Sequence, residues 1–533
     1  MKVRSFVISL IITLTILSLV AVTLVNQTQQ KESLILDTKE LDLPESAQYI
    51  PSNAYLTIHF NINPNKIPDY IEAEASKKSK SQARKEGIEI RDGLFALIGL
   101  DFNKDLSEWV SNDFSFSIFN SKENRINKGW ILIFEGININ ESSNFLNEYW
   151  ENQNINGAEI EHESYQGQEI LYEKAAGSEI EGRKLSMAML NNNLILISSN
   201  KKILQEAIDV SIDSTKNQLG DYQKKDLIKN LKNGIALIIA SPDALESFLE
   251  VPQNIAQKVD LNGFVASIIP KGKNIYIDSK FKFKEQLESK EIVNKNEINL
   301  FGEEIYNSND IAIINNTQQI LNDNSSDIYS LLIGKALRQY LINLESPIAT
   351  NLIELSKGQL VLINKESGWL IKSLDFSLIP IVDQILISQN FVKSTLNIKD
   401  KDITVWNKLE TIKRGDGYIL SPKIGIILSK DSNKLLWTNT LSSLDKENNS
   451  KSIVERSNIL KNSEFNNFIT VKQQLSLGQR SSQKILNHWK PWQLLKTVAS
   501  KSSLPNINRL NLALGEEEAE DSILKVRGML SID

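Results

Sequence analysis

Asn193-Leu194-Ile195-Leu196-Ile197-Ser198-Ser199-Asn200-Lys201-Lys202 is the stretch on which the fold turns. Its apolar centre has the composition of a buried strand. The Ser-Ser-Asn that follows supplies side chains able to accept from the free amides of a helix start, so a helix is predicted to run on to Val210. A strand entering a capped helix recurs at Ile424-Gly425-Ile426-Ile427-Leu428-Ser429-Lys430-Asp431-Ser432, where the helix is predicted to reach Leu444.

Outward from these two units the same order of elements repeats, and such self-similarity outranks other signals in a long chain. Pro51-Ser52-Asn53-Ala54 leads into Tyr55-Leu56-Thr57-Ile58-His59-Phe60, and Asn307-Ser308-Asn309-Asp310 leads into Ile311-Ala312-Ile313-Ile314. Helical stretches follow over 67–84 and 327–344. Alternating strands come next, Asp113-Phe114-Ser115-Phe116-Ser117-Ile118-Phe119 with Trp130-Ile131-Leu132-Ile133-Phe134, against Gly358-Gln359-Leu360-Val361-Leu362-Ile363 with Leu374-Asp375-Phe376-Ser377-Leu378. Short helices are expected at 141–150 and 381–390. Strands at 170–172 and 185–189 are then matched by strands at 403–406 and 418–420. Each half closes on a hairpin, 264–269 with 275–281 and 510–514 with 523–530. The expected fold class is therefore α+β: an N-terminal transmembrane helix followed by two similar α+β modules, an internal duplication with mainly antiparallel sheets and short capped helices. The boundaries are 1–25 for the anchor, 26–45 for a polar tether, 46–290 for the first module, 291–299 for a linker, and 300–533 for the second module, the charged stretch 284–296 marking the division.

The anchor is read from Lys2 and Arg4 ahead of an uncharged apolar run from Phe6 to Val25. At about 1.5 Å per residue such a helix reaches roughly 30 Å, a bilayer's hydrocarbon thickness. The two cations favour a cytoplasmic N-terminus, which places the bulk of the chain on the far side. Ala21-Val22-Thr23-Leu24-Val25 offers no small-x-small cleavage site, so the segment is expected to be retained. The 533 residues exceed one ordinary core, and 41% hydrophobic with 24% charged content belongs to a folded chain. A net charge of −6 without clustered cations argues against nucleic acid as a partner. The absence of cysteine removes disulfides, thiolate metal sites and a Cys nucleophile together.

The apolar N-terminus, the Pro51-Ser52-Asn53-Ala54 strand entry and the strand-to-capped-helix unit over 194–210 resemble an uncharacterised family of large, N-terminally anchored exported proteins of oxygenic photosynthetic bacteria, known as a domain of unknown function. The resemblance spans most of the exported part. It implies export, to periplasm or thylakoid lumen, and brings no activity, cofactor or catalytic residue.

Motifs that could carry chemistry each have a plainer reading. The three histidines, His59, His162 and His488, fall in different elements. In Glu159-Ile160-Glu161-His162-Glu163 a strand would set the three carboxylates on one face and the imidazole on the other, a solvated strand face and not a metal shell. Gly177-Ser178-Glu179-Ile180-Glu181-Gly182-Arg183-Lys184 has the glycine spacing of a P-loop, but its lysine comes one place late and Leu185 stands where a hydroxyl is needed. Arg414-Gly415-Asp416-Gly417 reads as a turn. Asp323-Asn324-Ser325-Ser326-Asp327 begins like a calcium loop, yet Ile328 and Gly334 occupy its glycine and glutamate positions, and a helix cap at Ser325 or Ser326 is the better reading. No Gly-x-Ser-x-Gly elbow is present. Lys77-Lys78-Ser79-Lys80-Ser81-Gln82-Ala83-Arg84-Lys85 is read as a solvated helix face, His488-Trp489-Lys490-Pro491-Trp492 as core, and Glu516-Glu517-Glu518-Ala519-Glu520-Asp521 as a hairpin tip. No catalytic, cofactor-binding or metal residue is assigned, and no cofactor or nucleotide is expected. The expected role is a membrane-anchored extracytoplasmic binding or scaffolding unit of the cell envelope or thylakoid, with the membrane and a protein as partners. The alternatives are an envelope hydrolase using carboxylates or a scattered Ser and Asp pair, and a folding helper for exported proteins.

Overall fold

β1 (Leu56–Asn61) forms where Leu56, Ile58 and Phe60 alternate with Thr57 and His59, so that an apolar face and a hydroxyl-rich face stand back to back. It pairs antiparallel on one side with β2 (Val110–Asn120) and on the other with β8 (Ala236–Ala240). The computed structural model describes residues 41–532, apart from internal stretches of which the longer are 175–184, 250–260, 285–309, 322–329, 445–468 and 489–506.

From β2 the sheet continues through β3 (Lys128–Gly136), β7 (Leu194–Ser198), β6 (Ser186–Leu190) and β5 (Gln168–Glu173) to an edge at β4 (Ile160–Tyr165). From β8 it continues through β9 (Leu261–Lys271) to β10 (Asn274–Phe283). The second half repeats this order with every strand ten places later. β11 (Asp310–Ile314) lies between β12 (Leu360–Lys365) and β18 (Ile469–Leu477). β13 (Gly368–Ser373), β17 (Lys434–Thr438), β16 (Gly417–Asp431) and β15 (Lys401–Arg414) lead from β12 to an edge at β14 (Val392–Ile398). On the other side β19 (Ile507–Glu517) and β20 (Glu520–Ile532) follow β18.

Two separate modules are therefore not what the chain builds. β10 and β20 pair with each other from Asn274 against Ser531 to Lys282 against Ile523, and all 20 strands join in one antiparallel sheet. The physical reason lies in the two closing hairpins. The outer strand of each carries an unpaired row of amides and carbonyls, and each satisfies the other. The expected transmembrane helix is likewise not part of this fold: no helix among the described residues is long and apolar enough to cross a membrane, and residues 1–40 lie outside them. The linker 291–299 also lies outside.

One hydrophobic core runs along a single face of the sheet through both halves. Ile58, Phe116 and Phe134 pack there beside Leu362, Trp437 and Leu475, under helices that contribute Phe95, Phe145, Leu352 and Val382. The opposite face carries smaller clusters, one beneath the helix Lys201–Ile212, where Ile131, Ile133 and Leu196 meet Leu204 and Ile208. Asn200 caps that helix by accepting from the Ile203 amide at 3.1 Å.

Two local expectations are corrected. The strand at 424–428 does not enter a helix: β16 runs on to Asp431, and Lys434–Thr438 is the further strand β17, followed only by the 3-10 turn Leu441–Leu444. Ser429 sits within the β16–β17 pairing, opposite Leu436. Residues 374–378 are likewise no strand. β13 ends at Ser373, and Asp375 takes hydrogen bonds from the Ser377 amide and hydroxyl, turning the chain into the helix Leu378–Ser388.

Candidate interaction surface

Among the described residues, hydroxyls and an imidazole converge beneath the first half without reaching solvent. His59 Nε2 donates to Gln218 Oε1 at 3.1 Å, leaving Nδ1 to accept from the Ser115 hydroxyl at 2.7 Å, and Ser46 meets Ser115 at 2.6 Å. Gln218 Nε2 in turn donates to Thr57, which meets Ser117. Burial pushes the imidazole down to about 4, partly opposed by the Gln218 bond. The Ser115–His59 pair has the spacing of an activated serine. All of these side chains are buried, so the network braces the sheet and presents no reachable nucleophile.

The carboxylates of β4 are engaged by cations and a phenol. Glu161 accepts from Tyr172 at 2.6 Å and lies 3.3 Å from Lys174, which hold its carboxyl below the ordinary range. Glu159 pairs with Lys174, Glu163 with Lys201 at 2.7 Å, and His162 with Glu169 at 2.9 Å. Each of these three carboxylates thus has at least one oxygen engaged by a protein donor. A cleft of about 810 Å³ opens between the helices Tyr222–Lys229 and Pro242–Leu249. Two of its lysines are committed: Lys224 binds Asp221 and the Ser52 carbonyl, and Lys282 donates to Ser522. The P-loop-like stretch 177–184, the calcium-loop-like stretch 323–327 and residues 489–492 after His488 lie outside the described residues, as do 77–79 of the basic stretch and 518–519 of the acidic one.

The second half presents a different kind of surface. β14 pairs with β15 only as far as Asn407, and β17 pairs with β16 only from Ile427 onward. Beyond those points, among the described residues, β15 and β16 continue with no partner but each other to the turn where Arg414 faces Gly417, with Gly415 at φ +62°. At about 3.4 Å per residue the ribbon extends roughly 20 Å past the sheet. Register sorts its side chains. Leu409 faces Pro422, Thr411 faces Leu420 and Lys413 faces Tyr418, with Ile424 opposite Asn407 on the same side. The other side carries the half-exposed pair Ile412 and Ile419 near the tip, and toward the root Glu410 between Lys408 at 3.2 Å and Lys423 at 3.0 Å; chiefly through Lys423, they hold its carboxyl below the ordinary range. Leu409, Tyr418 and Leu420 are 65%, 73% and 66% exposed. This strip continues, on the same face, the small body cluster of Ile403, Val405 and Ile427.

The root of the ribbon is fixed. Trp406 is fully buried against Trp437 and donates to Asp383 at 2.8 Å, while Lys393 pairs with the same carboxylate at 2.6 Å. A bulge at Trp406/Asn407 leaves Gly425 against the Phe391 ring, where a Cβ would come within 2.5 Å. The sequence reading recognised the turn at 414–417 but not the ribbon. Its visible signal is the large apolar residues on both sides of that turn, set among charges before it and consecutive after it; what identifies it as a surface is the absence of a neighbouring strand among the described residues, which no local pattern encodes.

The family described as "Protein of unknown function (DUF3352)" matches residues 6–532. No curated protein matches the chain. Among solved structures, crystal form IV of TP0453 is 11% identical, covering 44% of this chain and 79% of its own, with a TM-score of 0.25. Crystal form I of TP0453 is 10% identical over 49% of this chain and 85% of its own, with a TM-score of 0.26.

Proposed function

The chain belongs to DUF3352, a family of proteins of unknown function, and on that premise we propose that it is an exported binding or scaffolding unit of the cell envelope or thylakoid that engages its partner through the ribbon of β15 and β16. The observation that carries this reading is the apolar strip of Leu409, Tyr418, Leu420 and Ile424, held out from the sheet on a fixed root. Exposed apolar surface of this kind marks interaction sites. The buried Ser115–His59 pair favours binding over hydrolysis, because solvent and substrate have no path to it. Export is supported by Lys2, Arg4 and the apolar run behind them, in residues outside the described fold.

A chain without cysteine makes the test direct. Leu420→Cys and, as a control at an exposed helix end, Ile155→Cys are labelled with a membrane-impermeant maleimide in the purified protein and in opened cells. Both are expected to react alike when purified, and Leu420→Cys to be protected in the cells. Equal labelling of the two positions in cells overturns the reading. A reporter fused at Asp533 is expected outside the cytosol; cytosolic activity overturns export.

A further inference from the structure

Resting on the reading of the ribbon as the docking element, we propose that its partner is an anionic lipid surface, into whose interface the apolar face of β15 and β16 settles while Lys413 and Arg414 meet the headgroup phosphates. Shape comes first. The apolar strip is two strands wide and extends past the neighbouring strands, so a folded partner would need a matching groove, whereas the acyl boundary of a bilayer conforms to it. Interfacial elements combine such an apolar face with flanking cations. Here Leu409, Leu420, Pro422 and Ile424 share one side with Tyr418, an aromatic type that settles at headgroup level.

Charge points the same way. Residues 408–423 hold four cations and two acids, a local excess of positive charge in a chain of net charge −6. Glu410 is engaged by Lys408 and Lys423 toward the root. Lys413 and Arg414 are exposed at the tip. A second copy docking ribbon to ribbon would bring like charges together. The backbone sets the depth: the outer edges of β15 beyond Asn407 and of β16 before Ile424 have no strand partner among the described residues. Their amides and carbonyls must stay hydrated, so the ribbon lies in the headgroup and upper acyl layer and does not cross the hydrocarbon. A two-stranded ribbon is also marginally stable in water by itself, and a lipid contact on its apolar face would steady it.

The full-length chain is labelled with an environment-sensitive fluorophore at Leu420→Cys, or at Ser421→Cys on the opposite side, and reconstituted in vesicles of phosphatidylcholine alone or with phosphatidylglycerol. Position 420 is expected to shift to the blue and to be quenched by spin-labelled lipid in the anionic vesicles, with position 421 responding less. Lys413→Glu with Arg414→Glu is expected to lower the docked-to-free ratio about thirtyfold, taking roughly 1 kcal/mol for each cation at such a surface. An equal response at both positions, or one indifferent to the anionic lipid, overturns the inference. A shift without vesicles that grows with protein concentration also overturns it, in favour of a second copy. No response in either vesicle, with Leu420→Cys still protected in cells, overturns the lipid assignment and leaves the ribbon as a protein-docking element; loss of that protection as well removes both readings.

Discussion

Arg527→Met tests whether the two halves are one structure. In β20, Arg527 faces Asp278 of β10 at the centre of the pairing that joins the halves, and its Nε donates to Asp278 Oδ1 at 3.3 Å. Asp278 is fully buried and the Arg527 side chain is 7% exposed. The other carboxylate oxygen accepts from the Lys232 amide at 3.1 Å. Methionine keeps much of the stem volume and removes the guanidinium with its charge and donors, so Asp278 is left buried without the Arg527 bond. Breaking a buried pair in this way costs about 3–5 kcal/mol. With a urea dependence of about 3 kcal/mol per molar, the upper end of the usual range and reasonable for a large sheet, the midpoint falls by about 1 M or more. Tryptophan fluorescence and far-ultraviolet circular dichroism follow the unfolding together. Trp109, Trp130 and Trp150 lie in the first half, and Trp369, Trp406 and Trp437 in the second. A single transition that moves as a whole is expected. A midpoint within about 0.2 M of the parent, or two transitions of which only one moves, would refute the view that β10 and β20 couple the halves.

Two further outcomes follow from the same kind of accounting. His59 is held neutral in the fold at about 4, against an unfolded value near 6.5, so as pH falls the unfolded chain takes up its proton first. The stability this group contributes is complete above about pH 6.5 and is lost between there and about pH 4, amounting to roughly 3 kcal/mol. Urea midpoints of the parent and of His59→Gln, compared at pH 7.5 and 4.5, should show the steeper loss in the parent; parallel losses would sink the assignment. Gly425→Ala drives a methyl into the Phe391 ring at the ribbon root and should cost about 1–3 kcal/mol, with Phe391→Leu in the same chain recovering part of it. Thermal melts read both, and an unchanged midpoint for Gly425→Ala would contradict the packing described there.

Much of the sheet was legible because single strands announce themselves. Leu56, Ile58 and Phe60 alternate with Thr57 and His59, and Phe114, Phe116 and Ile118 alternate with Ser115 and Ser117. The misreadings arose where one composition serves two structures. Ser429-Lys430-Asp431-Ser432 has the residue types of a helix cap, yet β17 lies next in sequence and draws Ser429 into the ladder. β8, Ala236–Ala240, is short and apolar throughout, with no alternation to betray it. The joining of the halves was beyond local reading, because Asp278 and Arg527 lie 249 residues apart. The one trace of it in the sequence is charge set among apolar residues in the closing strands: Asp278 and Lys280 in β10, Lys525 and Arg527 in β20, all of them buried.

The repeated strand order also isolates the feature on which function depends. β5 and β6 are 6 and 5 residues long, whereas β15 and β16, which hold the same places in the second half, are 14 and 15. The sheet needs none of that extra length: β14 is satisfied by Asn407 and β17 by Ile427 onward. Nor does the core use it, since Leu409, Tyr418 and Leu420 are exposed. A free ribbon with an apolar face is also a hazard, a template for edge pairing and aggregation. Retaining such a ribbon on a root built from Trp406, Asp383, Lys393 and Gly425 is consistent with a surface that spends its working life covered. Replacing residues 408–423 by a two-residue Asn-Gly turn should therefore leave the melting temperature of the body within about 2 °C, since nothing in the core is removed. A body that unfolds when the ribbon is cut would assign the ribbon to stability and withdraw its role as a docking element.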